Sequence, residues 1–174
     1  DDGINREALW RSDGTELGTV LLNAACRQPD QFTKAADTLF FRGNDVFGTS
    51  LWKSDGTVEG TIKVVPPETA RVESPDLVEY GGCLFFIGEQ YAPGNSRKWL
   101  WASDGTVAGT TQIYDVTSIS PIYDLTKANG LLYFKGNNKL WKSDGTTSGT
   151  ALISDVSPWE FEAVGSTVFM RAWG

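Results

Sequence analysis

One eleven-residue phrase occurs four times in this 174-residue chain and constrains its fold more than any other feature. The phrase reads Leu-Trp-x-Ser-Asp-Gly-Thr-x-x-Gly-Thr, and its copies start at Leu9, Leu51, Leu100 and Leu140. The Asp-Gly pairs of successive copies lie 42, 49 and 40 residues apart. Chance does not repeat so long a match in so short a chain, so we expect four copies of one structural unit.

Each unit is predicted to contain four short β-strands. A very apolar segment lies between the copies of the phrase, at Leu39-Phe40-Phe41, Leu84-Phe85-Phe86, Leu132-Tyr133-Phe134 and Val168-Phe169-Met170. In the second unit the predicted strands are residues 32–36, 38–42, 50–54 and 61–65. The Asp-Gly pair suits a tight hairpin between strands three and four, because Gly tolerates positive φ. No segment sustains a 3.6-residue apolar period, so we expect almost no helix.

Four-stranded units of about 40 residues are typical of β-propellers, whose blades bury both faces by packing around a central axis. We therefore predict an all-β, four-bladed β-propeller in a single domain of residues 1–174. Three blades are predicted at residues 29–66, 75–116 and 121–156. The remaining blade is predicted to be a composite of residues 159–174 and 1–24.

The composite blade is predicted from the two ends of the chain. The last unit supplies strands one and two, up to Met170, whereas the first supplies strands three and four, from Ala8 to Leu22. Joined tail to head, the two ends resemble the continuous segment from Phe40 to Trp52. We therefore expect the ends to pair with each other and close the ring without a covalent bond.

The repeated phrase resembles the ELW-x-SDGT repeats of large, mostly secreted bacterial proteins, and the resemblance covers essentially the whole chain. It implies a propeller-forming repeat, an extracellular or cell-surface location, and no enzymatic activity of the motif itself. The Glu of that motif is replaced here by Ala8, Ser50, Trp99 and Lys139. A four-bladed ring is similar to hemopexin-like propellers in architecture only, since no hemopexin sequence motif is present.

Composition excludes several classes of function. The net charge of −7 and the pI of about 4.6 argue against nucleic acid and anionic membrane surfaces as partners. No apolar run approaches the length of a membrane span. The chain has no His, which excludes His-based catalytic triads, zinc sites that use His, and a His general base. Cys26 and Cys83 occupy different repeat positions, and their spacing leaves open whether they are free or paired.

The residues that recur in every unit are predicted to be structural. The repeated tryptophans are expected to pack between blades rather than to bind sugars: Trp10, Trp52, Trp101 and Trp141. The repeated aspartates are expected to hold the turn through Asx-type hydrogen bonds: Asp13, Asp55, Asp104 and Asp144. No cofactor is predicted, although a cation held by backbone carbonyls in the central channel is an open alternative.

The candidate ligand-binding residues lie where the repeat varies. The loop between strands two and three of the third unit is long, and we expect Tyr91, Asn95, Arg97 and Trp99 to bind a partner there. Trp159 and Trp173 form a second candidate region at the composite blade, and Tyr123 falls on the same face. Aromatic rings beside polar side chains suit a sugar or a protein hot spot. The structural alternative is that each aromatic side chain covers a local apolar gap.

These features predict a non-enzymatic extracellular binding module. A lectin-like glycan binder is the first expectation, favoured by seven Trp, neutral polar loops and the absence of His. A scaffold propeller that binds extracellular protein partners is the alternative. A glycoside-active enzyme comes third, since 22 acidic residues are present but none stands apart from turns and surface positions.

Overall fold

The computed structural model describes residues 7–64, 71–90, 97–113 and 122–173, and within them it is built from β-strands alone. Strands make up 68% of the structure, and no helix occurs in the described ranges. The expectation of an all-β chain is confirmed. These same ranges contain no helix long and apolar enough to cross a membrane.

The fifteen strands of the described residues form four antiparallel sheets. Sheet 1 contains β1 (Ala8–Arg11), β2 (Val20–Ala35), β3 (Thr38–Asp45), β4 (Gly48–Ser54) and β5 (Ile62–Lys63). Sheet 2 contains β6 (Arg71–Tyr80), β7 (Cys83–Gln90), β8 (Arg97–Ser103) and β9 (Thr111–Gln112). Sheet 3 contains β10 (Ile122–Ala128), β11 (Leu131–Gly136), β12 (Lys139–Ser143) and β13 (Ala151–Ser154). Sheet 4 contains β14 (Ser157–Val164) and β15 (Thr167–Trp173).

Each sheet pairs its strands in chain order, so neighbours in sequence are neighbours in space. The repeat sets one register, in which the aromatic residue of the apolar segment faces the repeated tryptophan across the ladder. These pairs are Phe41 with Trp52, Phe86 with Trp101, and Phe134 with Trp141. The rings of the first two pairs stack, with centroids 6.5 and 6.2 Å apart. Cross-strand aromatic pairs of this kind stabilise a sheet and specify its register.

The repeated turn has the same hydrogen bonds in all four copies. In the second copy, Asp55 Oδ1 accepts bonds from Thr57 N at 2.8 Å and Thr57 Oγ1 at 2.7 Å. The glycine that follows the aspartate has φ between +88° and +92° in every copy, which a side chain would strain. The Asx-type role predicted for the repeated aspartates is therefore confirmed.

One strand boundary differs from the expectation. The sequence predicts separate strands for the end of the first unit and the start of the second, whereas β2 is a single strand of sixteen residues. Its first part pairs with β1 and its second part with β3, and irregularities of register follow Arg27 and Asp30. Gln31 lies in this irregular part with φ of 56°, and Asp124 and Glu160 have φ of 57° in β10 and β14. A β-bulge therefore recurs in the first strand of three units.

The sheets stack in chain order through the first strand of each following sheet. Strands of sheet 1 contact β6, strands of sheet 2 contact β10, and strands of sheet 3 contact β14. Phe40 from sheet 1 packs in one core cluster with Val72 and Leu77 of sheet 2. Phe85 from sheet 2 packs with Leu125 of sheet 3 in the next cluster. Each sheet thereby buries one face against its successor, as adjacent propeller blades do.

The predicted closure of the ring is not seen in the structure. β1 lies at one edge of sheet 1 and β15 at one edge of sheet 4. No ladder joins these two strands within the described residues. What the structure shows is a stack of four antiparallel sheets.

The two cysteines are free thiols. Cys26 is fully buried in sheet 1, and burial, together with the nearby charge of Asp45, raises the pKa of its thiol to about 12. Cys83 is half-buried at the start of β7. The spacing of the two cysteines left open whether they are paired, and the structure shows that they are unpaired.

Candidate functional site

The long loop predicted to bind a partner is only partly described. Tyr91 and Asn95 lie outside the described residues, so their predicted role stays a prediction. Arg97 is half-buried at the start of β8, where it pairs with Gln90 of β7. Trp99 lies two residues further along the same strand and is 6% exposed.

Trp99 fills space between sheets 2 and 3. It belongs to the core cluster that contains Leu100, Ile122 and Leu125. Its indole Nε1 is buried without a hydrogen-bond partner, which is the environment of a packing residue rather than of a ligand platform. The sequence analysis treats Trp99 as an exposed binding residue, and the structure corrects this because the side chain is buried. The open alternative, that this ring covers an apolar gap, describes it better.

The second predicted region is at sheet 4. Trp159 is half-buried in β14, next to the positive-φ residue Glu160. The backbone of Trp173 ends β15 and pairs with Ser157, whereas its side chain lies outside the described part of the structure. The indole Nε1 of Trp159 is buried, as it is in Trp99, but the Trp159 side chain as a whole is half-buried, so part of its ring is open among the candidate residues that the structure describes.

Aromatic rings and cations alternate across sheets 2, 3 and 4. Lys98 Nζ lies 4.6 Å from the centroid of the Tyr123 ring. Lys135 Nζ lies 6.0 Å from the Trp159 ring, and Arg171 Cζ lies 5.4 Å from the same ring. We call these five residues the cation–aromatic band. Distances of up to about 6 Å are those of attractive cation–π contacts.

The repeat itself creates this band. Tyr123 and Trp159 occupy equivalent positions beside the bulge of the first strand, and their ladder partners on the second strand are Lys135 and Arg171. Because adjacent sheets stack, the cation of one sheet reaches the aromatic ring of the next. In sheet 1 the equivalent pair is Asp30 and Arg42, which form a two-bonded ion pair at 2.8 and 2.5 Å instead.

Carboxylates lie next to the band. Glu160 Oε2 is 3.5 Å from Arg171 Nε, and both side chains are largely exposed. Burial, and then repulsion from Asp76, raise the pKa of Asp124 above its ordinary value, whereas the Lys135 ammonium lowers it. Asp76 Oδ2 accepts the backbone N–H of Leu125 at 3.2 Å and so ties sheet 2 to sheet 3.

A cleft of about 850 Å³ opens on sheet 1. Trp10 and Phe32 stand on its walls, with Asp30, Arg42 and Asn44 among its polar residues. Trp10 is 52% exposed and Phe32 is 55% exposed. Two large exposed rings in one concavity indicate a surface that another group covers.

The equivalents of these two residues in the other units are covered. Trp52 is buried, and Leu77 and Leu125, which correspond to Phe32, are buried against the preceding sheet. Trp10 and Phe32 are exposed because no other sheet of the described residues covers this side of sheet 1. The prediction that all four repeated tryptophans pack between blades does not hold for Trp10 in this structure.

Metal chemistry finds no support in the described ranges. They hold no group of three or more His, Cys, Asp or Glu side chains placed to bind a metal ion. The cation suggested for a central channel stays a prediction, since it depends on ring closure.

Comparison with known proteins does not assign the chain to a family. No protein-family model, no curated protein and no solved structure matches it.

Sequence reasoning missed the cations of the band. Lys98, Lys135 and Arg171 each look like ordinary surface residues when the chain is read alone. Alignment of the four units supplies a signal for two of them, because Lys135 and Arg171 fall opposite Tyr123 and Trp159 in the repeat.

Proposed function

We propose that this chain is a non-enzymatic, secreted carbohydrate-binding module built as a four-bladed propeller. The observation that carries the function is the accessible pair Tyr123 and Trp159, set among polar and charged side chains on stacked sheets. The resemblance to ELW-x-SDGT repeats supports the architecture and the location.

The register of the complete sheets supports ring closure. In sheets 1, 2 and 3 the repeated tryptophan pairs with the last residue of the apolar segment, and the repeated leucine pairs with the residue after that segment, as Leu51 does with Arg42. The same register applied to the chain ends pairs Arg171 with Leu9 and Met170 with Trp10. Both strands have an open edge, so closure would complete a four-stranded blade from β14, β15, β1 and the first part of β2.

Hydrogen bonding supports the same pairing. The indole Nε1 of Trp52 donates to Gly43 O at 3.2 Å, and that of Trp141 donates to Gly136 O at 3.1 Å. The residue equivalent to these glycines at the end of the chain is Ala172. Closure would give Trp10 Nε1 the carbonyl of Ala172 as its acceptor.

The surfaces left open in the stack also match. The ring of Phe40 lies against Gly105 in the next sheet, and the ring of Phe85 lies against Gly145. Their equivalent at the end of the chain is Phe169, which is 58% exposed. The glycine that it would meet is Gly56, whose Cβ position is open. Closure would thus cover Phe169 and fill the cleft beside Trp10.

The binding function rests on the chemistry of sugars. A pyranose presents a C–H face that packs on an aromatic ring and hydroxyls that need polar partners at its edge. Trp159 supplies a half-buried ring, and Lys135 and Arg171, whose charged groups lie over that ring, can donate hydrogen bonds. Tyr123 repeats the arrangement one blade away, so one extended glycan could contact both rings.

A second candidate function is a scaffold that binds proteins. The hairpin between β3 and β4 exposes Val46 and Phe47 at its tip, at 83% and 67%. Adjacent apolar side chains this exposed are typical of protein contacts rather than sugar sites. Phe47 is therefore also the aromatic control for the sugar hypothesis.

A glycan array followed by titration calorimetry tests the proposal. We expect binding by the wild-type chain, a loss of about 1–3 kcal/mol in Trp159→Ala and in Tyr123→Ala, and no loss in Phe47→Ala. The far-UV circular dichroism of each variant shows whether it folds. An array without glycan ligands, or equal affinity in all three variants, contradicts the proposal. A protein partner lost only in Phe47→Ala favours the scaffold.

A further inference from the structure

We propose that the cation–aromatic band selects glycans whose sugar rings carry a carboxylate or a sulfate group. This inference rests on the carbohydrate-binding function proposed above and names the class of ligand for the same site. It is carried by the placement of three cations around two accessible rings.

The spacing of the band fits one sugar and its charged substituent. Lys135 Nζ and Arg171 Cζ lie over the Trp159 ring, 6.0 and 5.4 Å from its centroid, so a sugar that packs on the open part of this ring would contact both charged groups. A substituent at the edge of the sugar would then lie beside an ammonium or a guanidinium group. The same holds at Tyr123, whose ring lies 4.6 Å from Lys98 Nζ.

The kinds of cation suit an oxyanion. The guanidinium of Arg171 offers parallel N–H donors that match a carboxylate in two-bonded geometry, whereas Lys135 acts as a point charge. A neutral sugar gains little from such groups, because their desolvation offsets the hydrogen bonds to hydroxyls. The band is thus better matched to an acidic sugar than to a neutral one.

The neighbouring carboxylates do not cancel these cations. Glu160 lies 3.5 Å from Arg171, but both side chains are about two-thirds exposed or more, and exposed pairs of this kind exchange partners at little cost. Asp76 is engaged with the backbone of Leu125. Burial, and then repulsion from Asp76, disfavour the charged form of Asp124, although Lys135 favours it.

Because the net charge of the chain is −7, the local placement of cations, and not the overall charge, must account for binding of an acidic glycan. A chain this acidic repels polyanions at long range, so it does not collect them by charge alone. Recognition would require the sugar ring on the aromatic residue and the anion on the cation together. The inference therefore separates an acidic glycan from a simple polyanion such as inorganic polyphosphate.

Calorimetry with matched probes tests this inference. The probes are a uronic-acid tetrasaccharide, a sulfated tetrasaccharide, the neutral hexose tetrasaccharide of the same linkage, and linear polyphosphate. We expect the two acidic glycans to bind about tenfold or more tightly than the neutral one, with no polyphosphate binding. A preference for uronate over sulfate or the reverse identifies which anion the band takes.

Two variants and one control locate the effect. Lys135→Gln and Arg171→Gln should each weaken binding of the acidic glycans more than binding of the neutral glycan, and so remove most of the preference for acidic glycans. Lys142→Gln is the matched control, since Lys142 is an exposed lysine of β12 outside the band. Circular dichroism confirms that all three chains fold.

The possible failures are distinct. If neutral and acidic glycans bind alike and the two variants change nothing, the inference is wrong while the carbohydrate-binding function stands. If polyphosphate binds as tightly as the glycans, charge alone accounts for binding and the inference is also wrong. If no glycan binds, the proposed function itself fails.

Discussion

At the scale of single residues, the repeated turn explains why the same few residue types recur. The aspartate accepts two hydrogen bonds from the threonine two positions later, and the serine before it bonds the following glycine, as Ser54 Oγ does with Gly56 N at 3.0 Å. The glycine holds φ near +90°, where other residues are strained. Each position therefore has a local reason that is independent of any ligand.

A substitution at Gly145 tests both the backbone conformation of the turn and the packing between sheets 2 and 3. Its φ is +91°, and an added Cβ would lie 2.9 Å from Cζ of Phe85 in the preceding sheet. We expect Gly145→Ala to lower the free energy of unfolding by about 2–5 kcal/mol, since backbone strain and overpacking add. Gly130→Ala is the control, with φ of +67° and open space around the Cβ, and should cost about 1 kcal/mol. Equal losses in urea titrations would show that Phe85 does not press on this turn.

The turn aspartates predict how stability depends on pH. Bonds from threonine lower the pKa of Asp55 and Asp104 below the ordinary 3.8. A lowered pKa in the folded state stabilises the fold above pH 3.8, and this contribution is lost as the pH falls through the lowered values. We expect the melting temperature to drop below about pH 4.

The double variant Asp55→Asn/Asp104→Asn isolates this effect. Asparagine keeps the Asx-type acceptor but does not titrate. The melting temperature of the variant should depend less steeply on pH between about 5 and 3 than that of the wild type. Identical pH profiles for the two chains would rule out a contribution from these carboxylates.

At the scale of strands and sheets, a cross-strand aromatic pair helps to hold sheets 1, 2 and 3 together. Trp52 stacks on Phe41, donates to Gly43 O and is 5% exposed. Its equivalents keep the same ladder partner in sheets 2 and 3. The register between the paired strands is thus determined by one aromatic side-chain pair in each of these sheets and by the turn that follows it.

Removal of one such pair should be costly. We expect Trp52→Ala to destabilise the chain by about 3–5 kcal/mol, because it leaves a cavity beside Phe41 and a carbonyl without its donor. Phe47→Ala removes an aromatic ring that is exposed in the same sheet, and should cost less than about 1 kcal/mol. Chemical denaturation followed by fluorescence measures both, and similar costs would mean that the pair does not determine sheet stability.

Much of this level could be predicted from the sequence, because the repeat fixes local chemistry in a fixed order. The turn, the four-strand unit and the Phe–Trp pairing all follow from residues at constant spacing. The sixteen-residue β2 could not be predicted, because Pro29 suggests the start of a new unit rather than the middle of a strand. The bulge at Gln31 depends on pairing with β3 and could not be predicted either. The burial of Trp99 depends on the spacing between sheets 2 and 3, which sequence spacing does not encode.

The cation–aromatic band illustrates the same limit. Trp159 and Tyr123 could be picked out as aromatics that break the repeat, but two of the three cations near them come from strands of neighbouring sheets. Lys98 reaches Tyr123 from sheet 2, and Lys135 reaches Trp159 from sheet 3. A site assembled between sheets becomes visible only when their stacking is known.

At the scale of the whole molecule, the described residues form a stack of four sheets with exposed aromatic side chains at both ends. Sheet 1 exposes Trp10 and Phe32 in a cleft, and sheet 4 exposes Phe169. The equivalents of these residues within the four-stranded units are buried or half-buried. Closure of the proposed ring would make the two ends one blade, with Met170 opposite Trp10.

A disulfide trap between the two end strands tests this closure most directly. In the complete blade of sheet 1, Leu39 pairs with Ser54, and the equivalent residues at the chain ends are Val168 and Ser12. Cα atoms paired across an antiparallel ladder are about 4.5–5.5 Å apart, within disulfide range. The new cysteines are introduced into a chain that carries Cys83→Ser. The buried Cys26 thiol, whose pKa is raised to about 12, does not compete with them for disulfide formation.

Non-reducing electrophoresis and mass spectrometry of Ser12→Cys/Val168→Cys give the answer. We predict a disulfide within one monomer, formed on mild oxidation, and a rise in melting temperature that reductant reverses. The control Ser12→Cys/Phe169→Cys is one residue out of register, so its second thiol points to the opposite face and should cross-link far more slowly. A disulfide that forms only between chains, or equal cross-linking in both variants, would contradict the closed four-bladed ring.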